Sequence, residues 1–331
     1  MGLTLQDDSF RAVFEPHRRS ITLHCYRMLG SLQDAEEIVQ ETLLRAWQRQ
    51  AEAGPSSLRP WLYKIATNAC LDQLLKARRR RALPERLAPP SSAAVRLGPA
   101  TDERLWIEPA PDALLDVEAE PSQRPDQRVP LRESIGLAFI TALQSLSPKQ
   151  RAALLLVDVL EWKPQEAAEL LETSLFSLNS LLQRARKRVE TEREVSPPAS
   201  VSSSDAALLQ RFISTWESGD VEAFTALLAD DARFSMPPQP EWFAGRQAIG
   251  LFFASMWSAL PGQRRLLLLS ANGGPAVAVY RRALSDAPFE PGGITLLSLR
   301  EGRISQIIRF GSPRLFALFG LPAELPATHF G

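Results

Sequence analysis

The sequence predicts a multidomain protein: two all-α helical domains, the second with a helix-turn-helix, followed by an α+β domain built on a curved antiparallel sheet. Three observations lead there. Apolar residues recur at helical spacing in two separate blocks, 8–85 and 131–192. Short β-rich runs separated by glycine turns fill the end of the chain, 205–331. Pro-rich segments at 86–130 and 193–204 interrupt the pattern and read as linkers. At 331 residues the chain also exceeds one ordinary core of ~100 to 150 residues.

In the first block, Gly30 closes a helix carrying Ile21, Cys25, Met28 and Leu29, since glycine tolerates the left-handed backbone that ends helices. Ser31-Leu32-Gln33-Asp34 starts the next with a hydroxyl cap and an acidic first turn. Ala35, Ile38, Val39, Thr42, Leu43 and Ala46 form its core stripe. The opposite face presents Asp34, Glu37, Gln40, Glu41, Leu44, Arg45 and Gln48, which taken alone is a solvated acid-and-amide surface broken by one leucine.

A Gly54-Pro55-Ser56-Ser57 loop leads to a third helix with Pro60 near its first turn and Leu58, Leu62, Ile65, Ala66 and Ala69 as its core side. Arg59, Trp61, Lys64, Asn68 and Asp72 project elsewhere, and the helix runs out in Lys76, Arg78, Arg79, Arg80 and Arg81. A helix C-terminus favours some cations, but four consecutive arginines exceed what a cap requires. An aromatic ring and an amide beside a basic tail suit single-stranded DNA, the ring stacking on an unpaired base while the charge follows the phosphates. Ordinary core packing of Trp61 stands equally open.

Pro and Ala dominate 86–130 and its charge is net acidic, which predicts an extended connection. Within it the apolar island from Leu105-Trp106-Ile107 to Leu114-Leu115-Asp116 predicts docking on a flanking domain or on a partner.

Ser147-Pro148-Lys149-Gln150 supplies an N-cap serine, a proline at the first helical position and a capping-box glutamine, so a helix runs on through Ala153, Leu154, Val157 and Leu160. A second begins near Pro164, Glu172 to Ser174 turn, and Leu178, Leu181 and Leu182 return to pack on Ala168 and Leu171. Ser177, Asn179, Ser180, Gln183 and Arg184 are left on the outer face, with Arg186, Lys187 and Arg188 behind them. Such side chains pair with base edges and phosphates. The alternative is a helical hairpin with a solvated basic face. Glu172 stands where a turn often carries glycine.

After the second linker, helices are expected around Leu208 to Trp216, Val221 to Leu228 and Ile249 to Met256. Strands follow at Leu266–Ser270, Ala276–Arg282, Ile294–Arg300 and Arg303–Phe310, with Asn272-Gly273-Gly274 and Glu301-Gly302 as turns. Asp230 and Asp231 read as the end of a helix. Trp216, Phe234, Met236, Trp242, Phe252, Met256 and Trp257 either line an apolar pocket for a small-molecule ligand or simply form the core. The domain's one histidine is His329 in the tail, so no carboxylate–histidine pair for proton transfer is written into it and no catalytic residue is assigned.

Lys plus Arg and Asp plus Glu are both 38, yet charge is segregated, basic at Lys76 and Arg78–Arg81 and acidic over Asp102–Glu120. Cys25 and Cys70 sit in apolar helical patterns and read as buried free thiols, with no metal spacing and no cofactor motif. Neither a basic-then-apolar leader nor a run of ~20 apolar residues is present, so a cytoplasmic location and no membrane contact are expected.

Cys25-Tyr26-Arg27-Met28-Leu29-Gly30-Ser31, Asp34-Ala35-Glu36-Glu37, Val39-Gln40-Glu41-Thr42, Arg45-Ala46-Trp47 and the run from Trp61-Leu62-Tyr63-Lys64 to Cys70-Leu71-Asp72 resemble the first domain of extracytoplasmic-function RNA polymerase sigma factors. Leu146-Ser147-Pro148-Lys149-Gln150-Arg151-Ala152 through Gln183-Arg184-Ala185-Arg186 resembles that family's last DNA-binding domain. Trp216-Glu217-Ser218-Gly219-Asp220, Trp242-Phe243-Ala244-Gly245-Arg246 and Phe319-Gly320-Leu321-Pro322 resemble the SnoaL-like cone that some members append.

The resemblance implies that Asp34, Glu37, Gln40, Glu41, Leu44 and Arg45 dock on core RNA polymerase. It implies that Arg59, Trp61, Lys64, Asn68, Asp72 and Arg78, Arg79, Arg80 and Arg81 meet the start-proximal promoter element as it melts. Ser177, Asn179, Ser180, Gln183, Arg184, Arg186 and Lys187 would then read the upstream element as double-stranded DNA. Asn179 and Leu181 stand where many relatives have basic residues. The protein is expected to be a monomer when free, with its activity modulated by the C-terminal domain. A stand-alone helix-turn-helix regulator that senses a small molecule is the alternative, and a SnoaL-like enzyme tethered to DNA a third.

Overall fold

The computed structural model describes residues 4–48, 58–76, 81–92, 97–115, 136–195, 203–283 and 286–326. Arg78, Arg79 and Arg80, the end of the first linker and His329 lie outside the described residues. The fold divides into two compact units, one within 1–81 and 113–198 and the other within 82–112 and 199–331.

The first unit holds both helical blocks. Helix α1 (Thr4–Leu29) ends at Gly30, whose φ of +71° lets its amide turn back to the Tyr26 carbonyl at 2.7 Å. Ser31 then caps α2 (Leu32–Gln48), its hydroxyl accepting from the Asp34 amide at 3.1 Å. From α2, Ala35, Ile38, Val39, Thr42 and Ala46 are buried while Leu43 is half-buried. Helix α3 (Leu58–Lys76) buries Leu62, Ala66 and Ala69 as expected, and Tyr63, Thr67 and Cys70 as well. Cys25 and Cys70 are free thiols, and burial together with a hydrogen bond to Cys25 pushes the Cys70 thiol up.

The second block comprises α4 (Leu137–Gln144), α5 (Pro148–Leu154), α6 (Pro164–Leu170) and α7 (Leu175–Val195). The capping box is complete: the Ser147 hydroxyl accepts from the Gln150 amide at 3.4 Å, and the Gln150 side chain accepts from the Ser147 amide at 2.9 Å. The α5 helix does not run on to Leu160 as an α-helix; Leu155–Val159 forms a π-turn. At the turn Glu172 takes φ +49°, a left-handed backbone that costs an L-residue about 1 kcal/mol. Leu178, Leu182, Ala185 and Val189 are buried along α7, with Leu181 half-buried at the margin.

The two helical blocks pack on each other. The Gln144 amide lies against Gly30, where an added Cβ would sit 3.0 Å from it and push the amide aside. Tyr63 of α3 meets Trp162 edge-on at 5.9 Å.

The second unit is the α+β domain. Helices α8 (Ser203–Ser218) and α9 (Val221–Ala226) precede strands β1 (Leu228–Ser235) and β2 (Trp242–Ala244); α10 (Arg246–Ala259) follows. Then come β3 (Gln263–Ala271), β4 (Gly274–Arg282), β5 (Glu290–Arg300), β6 (Arg303–Phe310) and a short α11 (Arg314–Leu318). The sheet order is β2-β1-β6-β5-β4-β3. It is mixed rather than purely antiparallel, because β1 runs parallel to β6. Asp230 and Asp231 correct the expectation for that segment: they lie in β1, the helix ending earlier, at Ala226. The two glycine turns are tight two-residue hairpins with positive φ at Asn272 and Gly273 and at Glu301 and Gly302.

Sheet alternation separates two faces. One face carries Phe234, Leu266, Val277, Val279, Leu297 and Ile307 into a core with Phe212, Trp216, Phe224, Phe253 and Trp257 of the helices. The other takes Tyr280 against Phe316 of α11, at 4.9 Å. Here too lie the described residues of the first linker, 82–92 and 97–112, which are no free connection. Trp106, Ile107 and Ala110 are buried. Glu85 accepts from Ser235 at 2.8 Å and Gln306 at 3.3 Å, the Trp242 indole donates to the Ala88 carbonyl at 2.8 Å, and Ala110 and Asn272 exchange two hydrogen bonds. Arg314 pairs with the buried Glu108. Of the apolar island predicted to dock, Leu105 to Asp112 docks on the C-terminal domain, while Ala113 and Leu114 accept from Arg19 in the first unit.

Candidate nucleic-acid interface

The helix-turn-helix presents its predicted face outward. Ser177, Asn179, Gln183, Arg184, Arg186 and Lys187 are exposed and Ser180 is half-buried. The first turn of α7 is pre-set by Ser174, whose hydroxyl accepts from the Ser177 amide at 3.2 Å and bonds the Ser177 hydroxyl at 3.0 Å. Asn179, Gln183, Arg186 and Lys187 also border an open groove of about 720 Å³ with Val157 and Pro164.

The arginines of α7 are not equivalent. Arg186 forms a two-pronged pair with Asp158, at 2.9 and 2.7 Å, and that carboxylate raises its pKa further. Its charge is already balanced. Arg184 and Lys187 have no acidic partner among the described residues and remain available to phosphates.

One residue of this face escaped the sequence reasoning. Phe176 is 82 % exposed. It lies in line with Ser180 four residues on and Gln183 seven on, in the middle of the polar face. Its helical position was the available signal, because the apolar stripe of α7 passes through Leu178, Leu182 and Ala185 and leaves Phe176 outside it. An apolar group there suits the methyl of a thymine.

On α2, Glu37 and Gln40 are exposed, Leu44 is 53 % exposed, and Asp34, Glu41 and Arg45 are half-buried. Arg45 pairs with Glu41 at 2.6 Å. Arg81, read as part of the basic run, instead reaches Asp34 at 2.8 Å with little of its side chain exposed. The structure thus ties together two residues assigned to different partners. On α3, Arg59, Lys64 and Asp72 are exposed, while Trp61 and Asn68 are half-buried. Tyr63, not singled out from the sequence, is the buried ring beneath them; the Arg59 guanidinium lies 5.9 Å from its centroid.

The aromatic set of the C-terminal domain splits. Trp216, Phe234, Phe252 and Trp257 pack against one another and against Phe224, Phe243 and Phe253, with Phe243 and Phe252 at 4.4 Å and Trp216 and Trp257 at 5.9 Å. These four rings are members of the domain's aromatic core. Met236 is buried and Met256 half-buried at the margin of this core, and Trp242 turns its indole to the linker. Asp230 and Asp231 are exposed and paired with Arg246 and Arg300.

Residues 13–80 match the model for sigma-70 region 2, residues 136–189 that for sigma-70 region 4, and residues 209–307 that for the SnoaL-like domain. The ECF RNA polymerase sigma factor SigG of Mycobacterium tuberculosis is 45 % identical over 324 residues, 96 % of this chain and 85 % of the relative. The chain belongs to the extracytoplasmic-function RNA polymerase sigma factors. SigJ of the same organism is 27 % identical over 323 residues, 92 % of each protein. The crystal structure of SigJ shares the fold, with a TM-score of 0.59 at 22 % identity over 94 % of this chain and 99 % of that one. This sigma factor accordingly carries region 2, region 4 and a C-terminal SnoaL-like domain, and acts in transcription initiation with core RNA polymerase and promoter DNA. Among the described residues no helix is long and apolar enough to cross a membrane.

Proposed function

We propose that this sigma factor engages core RNA polymerase through the α2 ridge of Asp34, Glu37, Gln40, Glu41, Leu44 and Arg45. The outer side of α3, with Arg59, Trp61, Lys64, Asn68 and Asp72, meets the start-proximal element as it melts, together with Arg78, Arg79, Arg80 and Arg81 of the basic run. The outer face of α7 reads the upstream element in duplex form. The supporting physical feature of the ridge is acid and amide groups around an exposed leucine, which is a charged rim around an apolar anchor.

The observation that carries a regulatory role for the SnoaL-like domain is the fate of the linker. Residues 82–112 form the first part of the connection between region 2 and region 4, yet they are built into the C-terminal unit through Glu85, Ala88, Trp106, Glu108 and Ala110. Whatever loosens that domain also frees the tether between the two DNA-binding regions, and so changes how far apart they can act.

Purified core polymerase with the full chain tests the reading. Wild type is expected to co-purify with core and to support promoter-directed initiation. Glu37→Lys combined with Glu41→Lys is expected to weaken core binding by about tenfold or more through charge reversal, with the fold intact. Retention of full core affinity by that double variant would remove the ridge from the assignment.

A further inference from the structure

The wide turn that ends α5 sets an acid beside the DNA-facing helix. Leu155–Val159 is a π-turn, its width fixed by the Leu160 amide bonding the Leu155 carbonyl five residues back at 2.9 Å. Glu161 then takes φ +56°, and the Trp162 amide bonds the Leu156 carbonyl at 3.0 Å. A π-turn holds one residue more than an α-turn and so changes the direction in which its side chains leave the helix. Asp158, in this turn, reaches across to α7, 28 residues on, and accepts from Arg186 Nε at 2.9 Å and Nη2 at 2.7 Å.

Stability is a weak reason for this pair. The two side chains are 57 % and 29 % exposed, and ion pairs open to water add little to a fold. Position is the stronger feature. Arg186 stands three residues after Gln183 and seven after Asn179, so the three share one side of α7 and, with Lys187, border the same open groove. Asn179 and Gln183 carry amides that read base edges, whereas a guanidinium also binds phosphate. The Nε–Nη2 edge is a fork that grips a phosphate through two parallel bonds, and the Asp158 carboxylate already fills it. Arg184 and Lys187, the neighbouring cations, have no such partner among the described residues.

Affinity that comes from phosphates is sequence-independent: each cation that neutralises one releases counterions and strengthens binding by about three- to tenfold near 0.1 M salt. A cation balanced inside the protein gives up most of that gain. Base contacts then make up a larger share of the total, and the ratio of specific to non-specific binding rises.

Building on the reading of α7 as the duplex-binding helix, we propose that Asp158 is an intramolecular counter-ion. It occupies Arg186 and holds down sequence-independent binding, so that Asn179 and Gln183 decide where region 4 settles. Asp158 touches no DNA itself and acts through Arg186.

Binding of the full chain to a labelled random-sequence duplex across a salt series tests this, because the phosphate contribution does not depend on sequence. Asp158→Asn is expected to bind about three- to tenfold more tightly near 0.1 M salt and to steepen the slope of log affinity against log salt by about 1. Asp158→Ser provides a second reading if the first variant folds poorly. Adding Arg186→Ala to either variant should abolish the gain. Unchanged or lowered affinity in both Asp158 variants would make the pair a structural brace and overturn the inference. A gain that survives Arg186→Ala would overturn it too, since the carboxylate would then act on the DNA directly. Arg184→Ala separates the two readings: a shallower slope in that variant keeps α7 on the duplex whatever Asp158 does. An unchanged slope removes the α7 reading, and this inference with it.

Discussion

Arg151 of α5 donates a hydrogen bond to the backbone carbonyl of Met28 at the end of α1, so a side chain of region 4 closes the last turn of a region 2 helix. The guanidinium is 1 % exposed and also reaches Gln144 Oε1 at 2.5 Å and the Leu146 carbonyl at 3.4 Å. Its planar fork serves acceptors in different directions, which a lysine ammonium on a flexible stem does not reproduce. Arg151→Met fills similar volume but leaves the Met28 and Leu146 carbonyls and Gln144 without their donor. Urea unfolding should show a loss of about 3 kcal/mol, the cost of losing charge-assisted bonds in a buried site. Arg151→Lys should recover only part of it. Equal stability of wild type and the methionine variant would show that the desolvation of the arginine offsets its bonds.

The linker makes a separate prediction for the second unit. Trp106 is buried, its indole donates to the Thr101 hydroxyl at 2.9 Å, and that hydroxyl donates to the Pro238 carbonyl at 2.8 Å. Trp106→Ala removes a large buried ring and should cost about 3–5 kcal/mol at this position. Because the segment is held by separate bonds to the surface of the C-terminal domain, the loss should appear first as faster proteolysis between residues 82 and 112. Unchanged cleavage there would mean that Glu85, Glu108 and Ala110 suffice to hold the strap.

On α7 the pairing pattern ranks the basic residues. Arg184→Ala and Lys187→Ala should each lower the slope of log affinity against log salt by about 1 while leaving sequence preference unchanged. Arg186→Ala should change the slope less, since Asp158 already balances that charge. Gln183→Ala should relax base preference by about 1–3 kcal/mol at one position, and Phe176→Ala should lose discrimination between thymine and uracil at another. Binding of labelled promoter duplexes across a salt series reads all five.

Much of this was legible in the sequence because the responsible signals are local. The Ser147–Gln150 capping box, the Gly30 stop and the two-residue hairpins at Asn272-Gly273 and Glu301-Gly302 depend on neighbours within four residues. The α7 face followed from helical periodicity alone. What was missed is non-local. Strand β1 reads as a helix end because its charged Asp230-Asp231 pair faces solvent, and its place is set by parallel pairing with β6, far along the chain. Arg81 reads as one arginine in a run until Asp34 is found beside it. Arg264 and Arg281 become neighbours only once the register of β3 on β4 is fixed, and a shift of one residue would turn either to the other face.

His24 gives the first unit a pH dependence of definite sign. The ring is buried between α1 and α3, with Nε2 at 2.9 Å from the Thr67 hydroxyl, Nδ1 unpaired, and the Tyr63 ring edge-on at 5.2 Å. Burial, and then the charge of Arg27, push its pKa down to about 3. The folded state therefore holds a neutral imidazole, while the unfolded chain takes up a proton near the ordinary value of about 6.5. Stability from this group is complete above pH 6.5 and falls by up to about 1.4 kcal/mol per pH unit as the pH drops toward 3. His24→Gln keeps a polar group for Thr67 without titrating. Urea unfolding at pH 7.5 and 5.5 should show wild type losing about 1.4 kcal/mol more than the variant over that interval. Parallel losses would place the acid sensitivity on other groups, and an opposite sign would mean that the folded state accommodates the protonated ring, against the absence of any acceptor at Nδ1.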